Sequence, residues 1–464
     1  MYFGRYIIVL IMAFPLFAGV SNLRLSTAIE ILKKDNLELK ISRFNEQMAK
    51  YEAEATEAMN YGKLDLTVTG MRSNDAGNVF GFKLQSREAT FGDFGAEEFM
   101  NNFGACANSG NMQACQDMYN KPPSELNYPK ARNHYQTKIS YMLPLYTGGK
   151  LTEYKNITES LHIMSQYDSK KLLNAKIYQV KKAFYDISLV DNYIYNLSKI
   201  MKNINKLVNV IQNMKTEGYA KDIDLLEVQA RKAETLSMYN QAKLNRDLAY
   251  QFLSFLLNQK VTSIQKVKEM ARMPRVDLQN LLSNNIDIQK ALLGLEISKM
   301  AVEVQEGSFR PEIGAFGEYG SANNNMLHDF FDKDSYTVGI QAKWNLFSGG
   351  ADKARLEKAK VNRLMVEEQV RLAKTGIALK VKKLRTEILS ADADIRSYQQ
   401  QLNFFKKVYE NYRERYAEGM VSISDVLVKQ SKQLEIMLKL LTAKNKRNTK
   451  IFELDSILNR GDRV

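Results

Sequence analysis

The sequence predicts a mainly α-helical protein with a membrane β-barrel component, built from a duplicated strand–strand–long-helix repeat. Three observations lead there. The phrase LPLYTGG, Leu143 to Gly149, returns as WNLFSGG, Trp344 to Gly350, after 201 residues (344 − 143). Long proline-free stretches carry apolar residues at a sustained period of 3.5. Stretches just before each phrase alternate apolar and polar residues instead.

The duplication is settled first, because a missed repeat misassigns the whole fold. Glu217-Gly218 returns as Glu418-Gly419, Asp224 as Asp425, Leu226 as Leu427 and Gln229 as Gln430, all at the same offset. Gly149 to Gly218 and Gly350 to Gly419 are 69 steps each, so no insertion separates the copies. On this pattern the chain divides into a leader, 1–21, a first repeat, 22–260, and a second, 261–464.

The leader reads MYFGRYIIVLIMAFPLFAGVSN, with Arg5, an apolar core from Tyr6 to Ala18, and small residues at Gly19 and Ser21. That is the pattern of a secretory signal peptide. Pro15 and the charge-free run disfavour a buried first helix, and no Cys follows to carry a lipid anchor. No other apolar run reaches the roughly 18 residues of a transmembrane helix. Membrane residence therefore rests on strands.

The chain is basic, with 66 Lys+Arg against 52 Asp+Glu. Its charges are spread along periodic segments, densest from Lys353 to Arg385, which reads as a solvated helix face rather than a nucleic-acid patch. Cys106 and Cys115 lie close together in one loop, and in an exported chain a local disulfide is the natural reading. His134, Met112 and Asp117 nearby make no convincing metal set, so neither metal nor cofactor is expected.

The long helices come next. No proline falls between Gly149 and Gln259, or after Pro311; proline breaks helix interiors, so its absence permits very long ones. Val180, Ala183, Ile187, Val190, Ile194, Leu197, Met201, Ile204, Val208 and Ile211 step by three and four without a slip. Ile377, Val381, Leu384, Ile388, Ala391, Ile395, Tyr398, Leu402, Phe405, Tyr409, Tyr412 and Tyr416 do the same in the second copy. A sustained period of this kind is a coiled-coil seam. Leu189, Tyr193, Ile200, Leu207, Val210 and Met214 form a partial second stripe, so each helix expects a neighbour on both sides. Shorter helices are expected at about Ser26–Asn60, Asp222–Asn258, Leu278–Glu306 and Ser424–Asn459. Gly218 and Gly419 suit the left-handed residue that ends a helix. Ser422, with Asp425 three positions on, resembles a capping box.

The strands follow. Leu64, Leu66 and Val68 alternate with polar residues in Lys63–Thr69; Ile139, Tyr141, Leu143 and Leu145 do so in Tyr135–Leu145. Val338, Ile340, Ala342, Trp344 and Leu346 repeat that face, and Phe309–Tyr319 supplies a weaker fourth strand. Gly148-Gly149 and Gly349-Gly350 provide the bend from strand to long helix. Four strands cannot close a barrel, and lipid does not tolerate an open edge. Three chains with four strands each would close one of twelve.

With these residues in view, the sequence resembles the TolC family of outer-membrane efflux proteins. The doubled turns LPLYTGG and WNLFSGG, the tip YAEGMVSISDVLVKQ (Tyr416 to Gln430) and its partner TEGYAKDIDLLEVQ (Thr216 to Gln229) carry the resemblance, in the family's order of elements. It implies a homotrimer in outer-membrane lipid of a Gram-negative bacterium, its twelve-stranded barrel continuing into a twelve-helix tunnel across the periplasm. The implied function is passive: the exit duct of a tripartite efflux or type I secretion system, passing drugs, small molecules or proteins. Its implied partners are a periplasmic adaptor and an inner-membrane pump of the RND or ABC type. The tips, Gly218, Tyr219, Gly419 and Met420, are implied to dock the adaptor. Tyr416, Asp425 and Asp224 match positions that close and line the family's periplasmic entrance. Two positions depart from the family: Val421 stands where an Arg of the closing network is found, and Val428 where a second acidic residue is found. Asp425 also has a purely structural reading, since a carboxylate in a helix's first turn is favoured by the helix dipole.

The copies differ most in the loop 73–133. Asn36 to Gly149 spans 113 steps and Asn285 to Gly350 spans 65, so the first copy carries about 48 extra residues. The loop holds Phe80, Phe82, Phe91, Phe94, Phe99, Phe103 and both cysteines. It is expected outside the cell, either as a disulfide-pinned cap over the barrel mouth or as a disordered or structural connection. An enzyme is not expected: the three histidines, His134, His162 and His328, come with no phosphate loop, nucleophile elbow or metal spacing. The alternative is a periplasmic coiled-coil adaptor or scaffold, which paired stripes and a duplicated four-strand set argue against.

Overall fold

The computed structural model describes residues 19–110, 112–267, 269–325 and 331–460. The leader assigned to 1–21 lies outside them up to Ala18, as does His328. The elements in chain order are α1 (Leu25–Asp35), α2 (Leu37–Ala58), β1 (Lys63–Ser73), α3 (Ala76–Gln85), α4 (Ala96–Ser109), α5 (Met112–Asp117), α6 (Ser124–Asn127) and β2 (Arg132–Tyr146). There follow α7 (Lys150–Thr216), α8 (Asp222–Leu257), α9 (Leu278–Asn284), α10 (Ile286–Gly307), β3 (Glu312–Asn323), β4 (Asp334–Lys343), α11 (Ala351–Ala417) and α12 (Ile423–Ile457).

The proline-free heptads become α7 and α11, of 67 residues each. At about 1.5 Å per residue each is a rod of about 100 Å. Their seams are the buried face: Val180, Ala183, Ile187, Leu197, Ile204 and Ile211 in α7, and Val381, Leu384, Ile388, Ala391, Ile395, Tyr409 and Tyr416 in α11. The second stripe of α7 is only partly covered, with Val210 exposed.

The expected helices Ser26–Asn60 and Leu278–Glu306 are each two helices, broken at Asn36 and Asn285. Both asparagines are buried. The Asn36 Oδ1 accepts from Leu39 N–H at 2.9 Å, capping α2, while its Nδ2 donates to the Leu256 carbonyl at the end of α8, 2.8 Å. Asn285 repeats the device: Oδ1 accepts from Ile288 N–H at 3.2 Å, and Nδ2 donates to the Ile457 carbonyl ending α12, 2.9 Å. One amide thus satisfies a helix start and a helix end together, the orphan groups every helix carries.

Contacts divide the described residues into two units, one drawn from 19–49, 161–296 and 364–460, the other from 50–160 and 297–363. Each draws on both repeats, so the repeats are units of sequence rather than of packing. In the first unit, Ile177, Phe184 and Ile187 of α7 pack with Leu32 of α1 and Leu253, Leu256 and Leu257 of α8. In the second copy Val381, Leu384 and Ile388 of α11 pack with Ile451, Phe452 and Leu454 of α12, with Ile388 and Leu454 at the offset of Ile187 and Leu253. The extended link from α8 to α9 is tied down by side chains: Ser188 Oγ accepts from Val267 N–H (3.2 Å), and Asn448 Oδ1 from Ala271 N–H (3.1 Å). Val20, at the start of the described chain, pairs with Val261 of this link.

The second unit holds one antiparallel sheet, ordered β1-β2-β3-β4. Its register sorts the faces. Leu64 lies across from Tyr141, Gly317 and Val338, and Leu66 from Ile139, Tyr319 and Tyr336. The alternate rows are Asp65, Ser140, Glu318 and Thr337, then Thr67, Lys138, Gly320 and Ser335. One face is apolar and the other polar. The apolar one is bare: Leu64, Leu66, Val68, Val338 and Ile340 are all more than half exposed. On the polar face Lys138 pairs with Glu318 at 3.0 Å. Strand β4 ends at Lys343, short of the alternation that runs on through Trp344 and Leu346.

Between β1 and β2 the expected loop is a small helical subdomain, α3 to α6, not an irregular connection. The ring of Phe80 meets that of Phe94 edge-on at 4.9 Å. Cys106 and Cys115 are joined in a disulfide across α4 and α5, with Cα atoms 5.5 Å apart.

Candidate functional site

The hairpin tips are the first candidate. Each long helix ends on a left-handed glycine, Gly218 with φ 82° and Gly419 with φ 73°. In both, the next residue's N–H reaches back five positions: Tyr219 to the Met214 carbonyl at 2.7 Å, Met420 to the Arg415 carbonyl at 2.9 Å. This is the Schellman closure, which satisfies the last carbonyls and turns the chain sharply. Tyr219 and Met420 project from the turns, 80% and 64% exposed.

The descending helices start with carboxylate caps. Ser422 donates from N–H (3.2 Å) and Oγ (2.7 Å) to Asp425 Oδ2, while its Oγ accepts from Asp425 N–H at 3.2 Å. Those bonds from Ser422 hold the Asp425 carboxyl below its ordinary range. In the first copy only the Lys221 N–H reaches Asp224 Oδ2, at 2.9 Å.

Beneath the caps the two hairpins share one apolar cluster. Ile204, Leu207 and Ile211 of α7 and Val228 of α8 pack with Tyr409 and Tyr416 of α11 and Ile423, Val426 and Leu427 of α12. Tyr416 is only 7% exposed. Burial first, and then the charge of Asp224, raise its phenol pKa, so two of the three entrance residues read from the sequence are brought close. Asp425 is not part of that pair; its carboxylate accepts from Ser422 at the start of its own helix. Val421 packs against the same cluster, and Val428 faces outward.

Three features here were not read from the sequence. Ser424 Oγ donates to Glu227 Oε2 at 2.6 Å, tying α12 to α8. Gln430, buried, donates from Nε2 to the Tyr409 hydroxyl at 3.3 Å. Tyr412 carries Lys429 at 4.9 Å and Arg415 at 5.8 Å from its ring centre. None has a local sequence signal except Gln430, whose repetition of Gln229 marks it.

The strand-to-helix turns are the second candidate. Gly148 and Gly149 have φ of 68° and 90°, Gly349 and Gly350 of 64° and 85°. A side chain at Gly148 would also strike the Gly307 carbonyl, and Arg310 donates to the Gly148 carbonyl at 3.2 Å. Among the described residues no group of three or more His, Cys, Asp or Glu is placed to hold a metal ion, and no helix is long and apolar enough to cross a membrane.

Comparison with known proteins meets this geometry. Residues 278–460 match the outer membrane efflux protein family. Toxin and drug export protein A of Aggregatibacter actinomycetemcomitans is 22% identical over 323 residues, 66% of this chain and 68% of the relative. The fold is that of solved outer-membrane channels. CusC superposes with a TM-score of 0.76 at 15% identity, covering 96% of this chain and 95% of its own. The Campylobacter jejuni CmeC outer membrane channel gives 0.71 at 16%, covering 94% and 86%. The resemblance read from the turns and tips therefore meets a family match over the second part of the chain and the fold of solved outer-membrane channels over nearly all of it.

Proposed function

We propose that this chain is the outer-membrane exit duct of a tripartite efflux or type I secretion system, working as a homotrimer. The observation that carries the reading is the sheet: one bare apolar face, one charged face, and two open edges at β1 and β4. In water such a face is a large unexplained apolar patch. In lipid the face is satisfied but the edges are not, since unpaired backbone groups cannot be left in hydrocarbon. Three copies, each of four strands, satisfy both by closing a twelve-stranded barrel, inside the known range. The match to outer membrane efflux proteins supports the same conclusion.

On this reading the tips form the periplasmic entrance. Met420 and Tyr219 meet an adaptor, which brings an inner-membrane pump of the RND or ABC type. The duct does no chemistry and supplies no energy. A pump loads cargo at the tips, and the cargo leaves through the barrel; the export of toxins and drugs in the relative's name makes both proteins and small molecules reasonable cargo. A soluble periplasmic adaptor, the alternative, has no use for the bare face of Leu64, Leu66, Val338 and Ile340.

The test is capture in living cells by a photoreactive residue at position 420. Cross-linking to a periplasmic adaptor supports the docking tip, and the pump recovered with it separates drug efflux from protein secretion. Release of the chain from membranes by alkaline carbonate, with no adaptor captured, would overturn the reading.

A further inference from the structure

We propose that the helical subdomain between β1 and β2 is a lid seated on the lumen side of the barrel's outer mouth, latched by Phe82 and Glu88 onto His134, Arg132 and Lys333. The inference rests on the outer-membrane reading above.

Strand parity assigns the side. A barrel in lipid turns its apolar face outward, so the face carrying Asp65, Thr67, Lys138 and Glu318 lines the interior. Along β2 side chains alternate faces, and Arg132 and His134 share the parity of Gln136, Lys138 and Ser140. They stand on the lumen face, at the end of the strand where the subdomain begins. What covers them is α3, which also packs against β3. The Phe82 ring lies parallel to the His134 ring, centres 4.1 Å apart and planes within 7°. His134 is fully buried there. Ser86, the cap of α3, accepts from an Arg132 Nη at 3.0 Å. Beyond it Glu88 pairs with both Arg132 and Lys333, and Arg87 donates to the Asp334 carbonyl. The latch therefore grips β2 and the approach to β4 at once, and a subdomain so held leans inward over the lumen face. Three copies would bring three lids to one mouth.

The latch is built to yield. Both ring nitrogens of His134 are buried without a hydrogen-bond partner among the described residues. Leaving such groups unpaired costs stability that an apolar residue of the same shape would not. A strong plug has no reason to keep that cost, whereas a lid that must lift for cargo does.

The experiment uses intact cells and a bulky membrane-impermeant maleimide. Both native cysteines are paired, so an introduced cysteine is the only target. Phe91→Cys, at an 87% exposed site on the subdomain, reports the outer surface. Thr67→Cys, on the lumen face, reports what lies beneath the lid. Phe91→Cys should label quickly and Thr67→Cys slowly. Adding Phe82→Ala to Thr67→Cys should raise its labelling rate by about tenfold or more, a modest shift of a closed–open equilibrium. Glu88→Gln, which keeps the shape of the side chain and removes its charge, should act in the same direction without disturbing the packing. Fast labelling of Thr67→Cys with the latch intact, or equal rates with and without it, would overturn the lid. Failure of Phe91→Cys to label before lysis would instead overturn the outer-membrane reading.

Discussion

Replacing Tyr416 by alanine and, separately, by phenylalanine distinguishes two ways of holding the proposed entrance shut. The side chain is 7% exposed and packs within the cluster that joins the two hairpins. Truncating a buried aromatic to alanine costs about 3–5 kcal/mol, part transfer and part cavity. Removing the hydroxyl alone keeps the ring packed and, since that hydroxyl makes no hydrogen bond among the described residues, costs at most the roughly 0.5–1.5 kcal/mol that one such bond is worth. Every 1.4 kcal/mol is about a factor of ten in an equilibrium. Tyr416→Ala should therefore raise the open fraction of the tips by roughly a hundredfold or more, and Tyr416→Phe by at most about tenfold. The assay is the closed-state conductance of single channels in planar bilayers, with antibiotic susceptibility of the producing cells beside it. If phenylalanine leaks as much as alanine, the polar approach of the phenol to Asp224 holds the entrance, and the argument from packing is wrong.

Other outcomes follow from the same geometry. Gly419→Ala meets no neighbouring atom, so its cost is backbone strain alone at φ 73°; about 1–2 kcal/mol should appear as faster protease cleavage at the tip with no change in the sheet. Asp425→Ala removes the acceptor of both Ser422 bonds and should raise closed-state current at neutral pH; an unchanged current, with cation block intact, would assign Asp425 to its helix alone. Because the Asp425 carboxyl is held below its ordinary range, its stabilisation is complete above the usual carboxylate pKa of about 4. It is lost as pH falls through the lowered value. Wild-type current should then rise in acid, and Asp425→Ala should lack that step. Replacing Cys106 and Cys115 by serine opens a link closing nine residues of sequence separation, worth about 2–3 kcal/mol; hydrogen exchange should quicken in α4 and α5 and nowhere else.

Much of this was legible because side-chain period is a local property. The heptads of α7 and α11 and the alternation of β1 and β2 each repeat one environment many times, so single exceptions do not hide them. The breaks at Asn36 and Asn285 were hidden for the opposite reason. Each depends on one amide finding the final carbonyls of another helix, Leu256 and Ile457, far away in sequence. Alternation also overran the real β4, because a strand is a pairing and not a pattern. The ladder with β3 ends where Glu312 meets Lys343, and the Trp344 indole N–H goes instead to the Phe309 carbonyl at 3.0 Å. The subdomain of α3 to α6 gave little signal because its helices run from four to fourteen residues. Helices that short are fixed by tertiary contacts rather than by propensity.

At the tips the two copies keep one geometry and divide the work. The Schellman turns match residue for residue, but Ser422 gives the second helix a full cap where Lys221 gives the first only its N–H. The second tip is thus the more rigid in itself, and it holds the first through Ser424 and Glu227. Val421, where the family resemblance leads one to expect an arginine, joins the apolar cluster instead. An exposed ionic tie would be weak in salt and water, while a packed cluster shared by four helix ends resists small displacements and yields as a unit. On the proposed reading, opening the entrance means parting the two hairpins across that cluster, a step that a docked adaptor would drive by favouring the parted state.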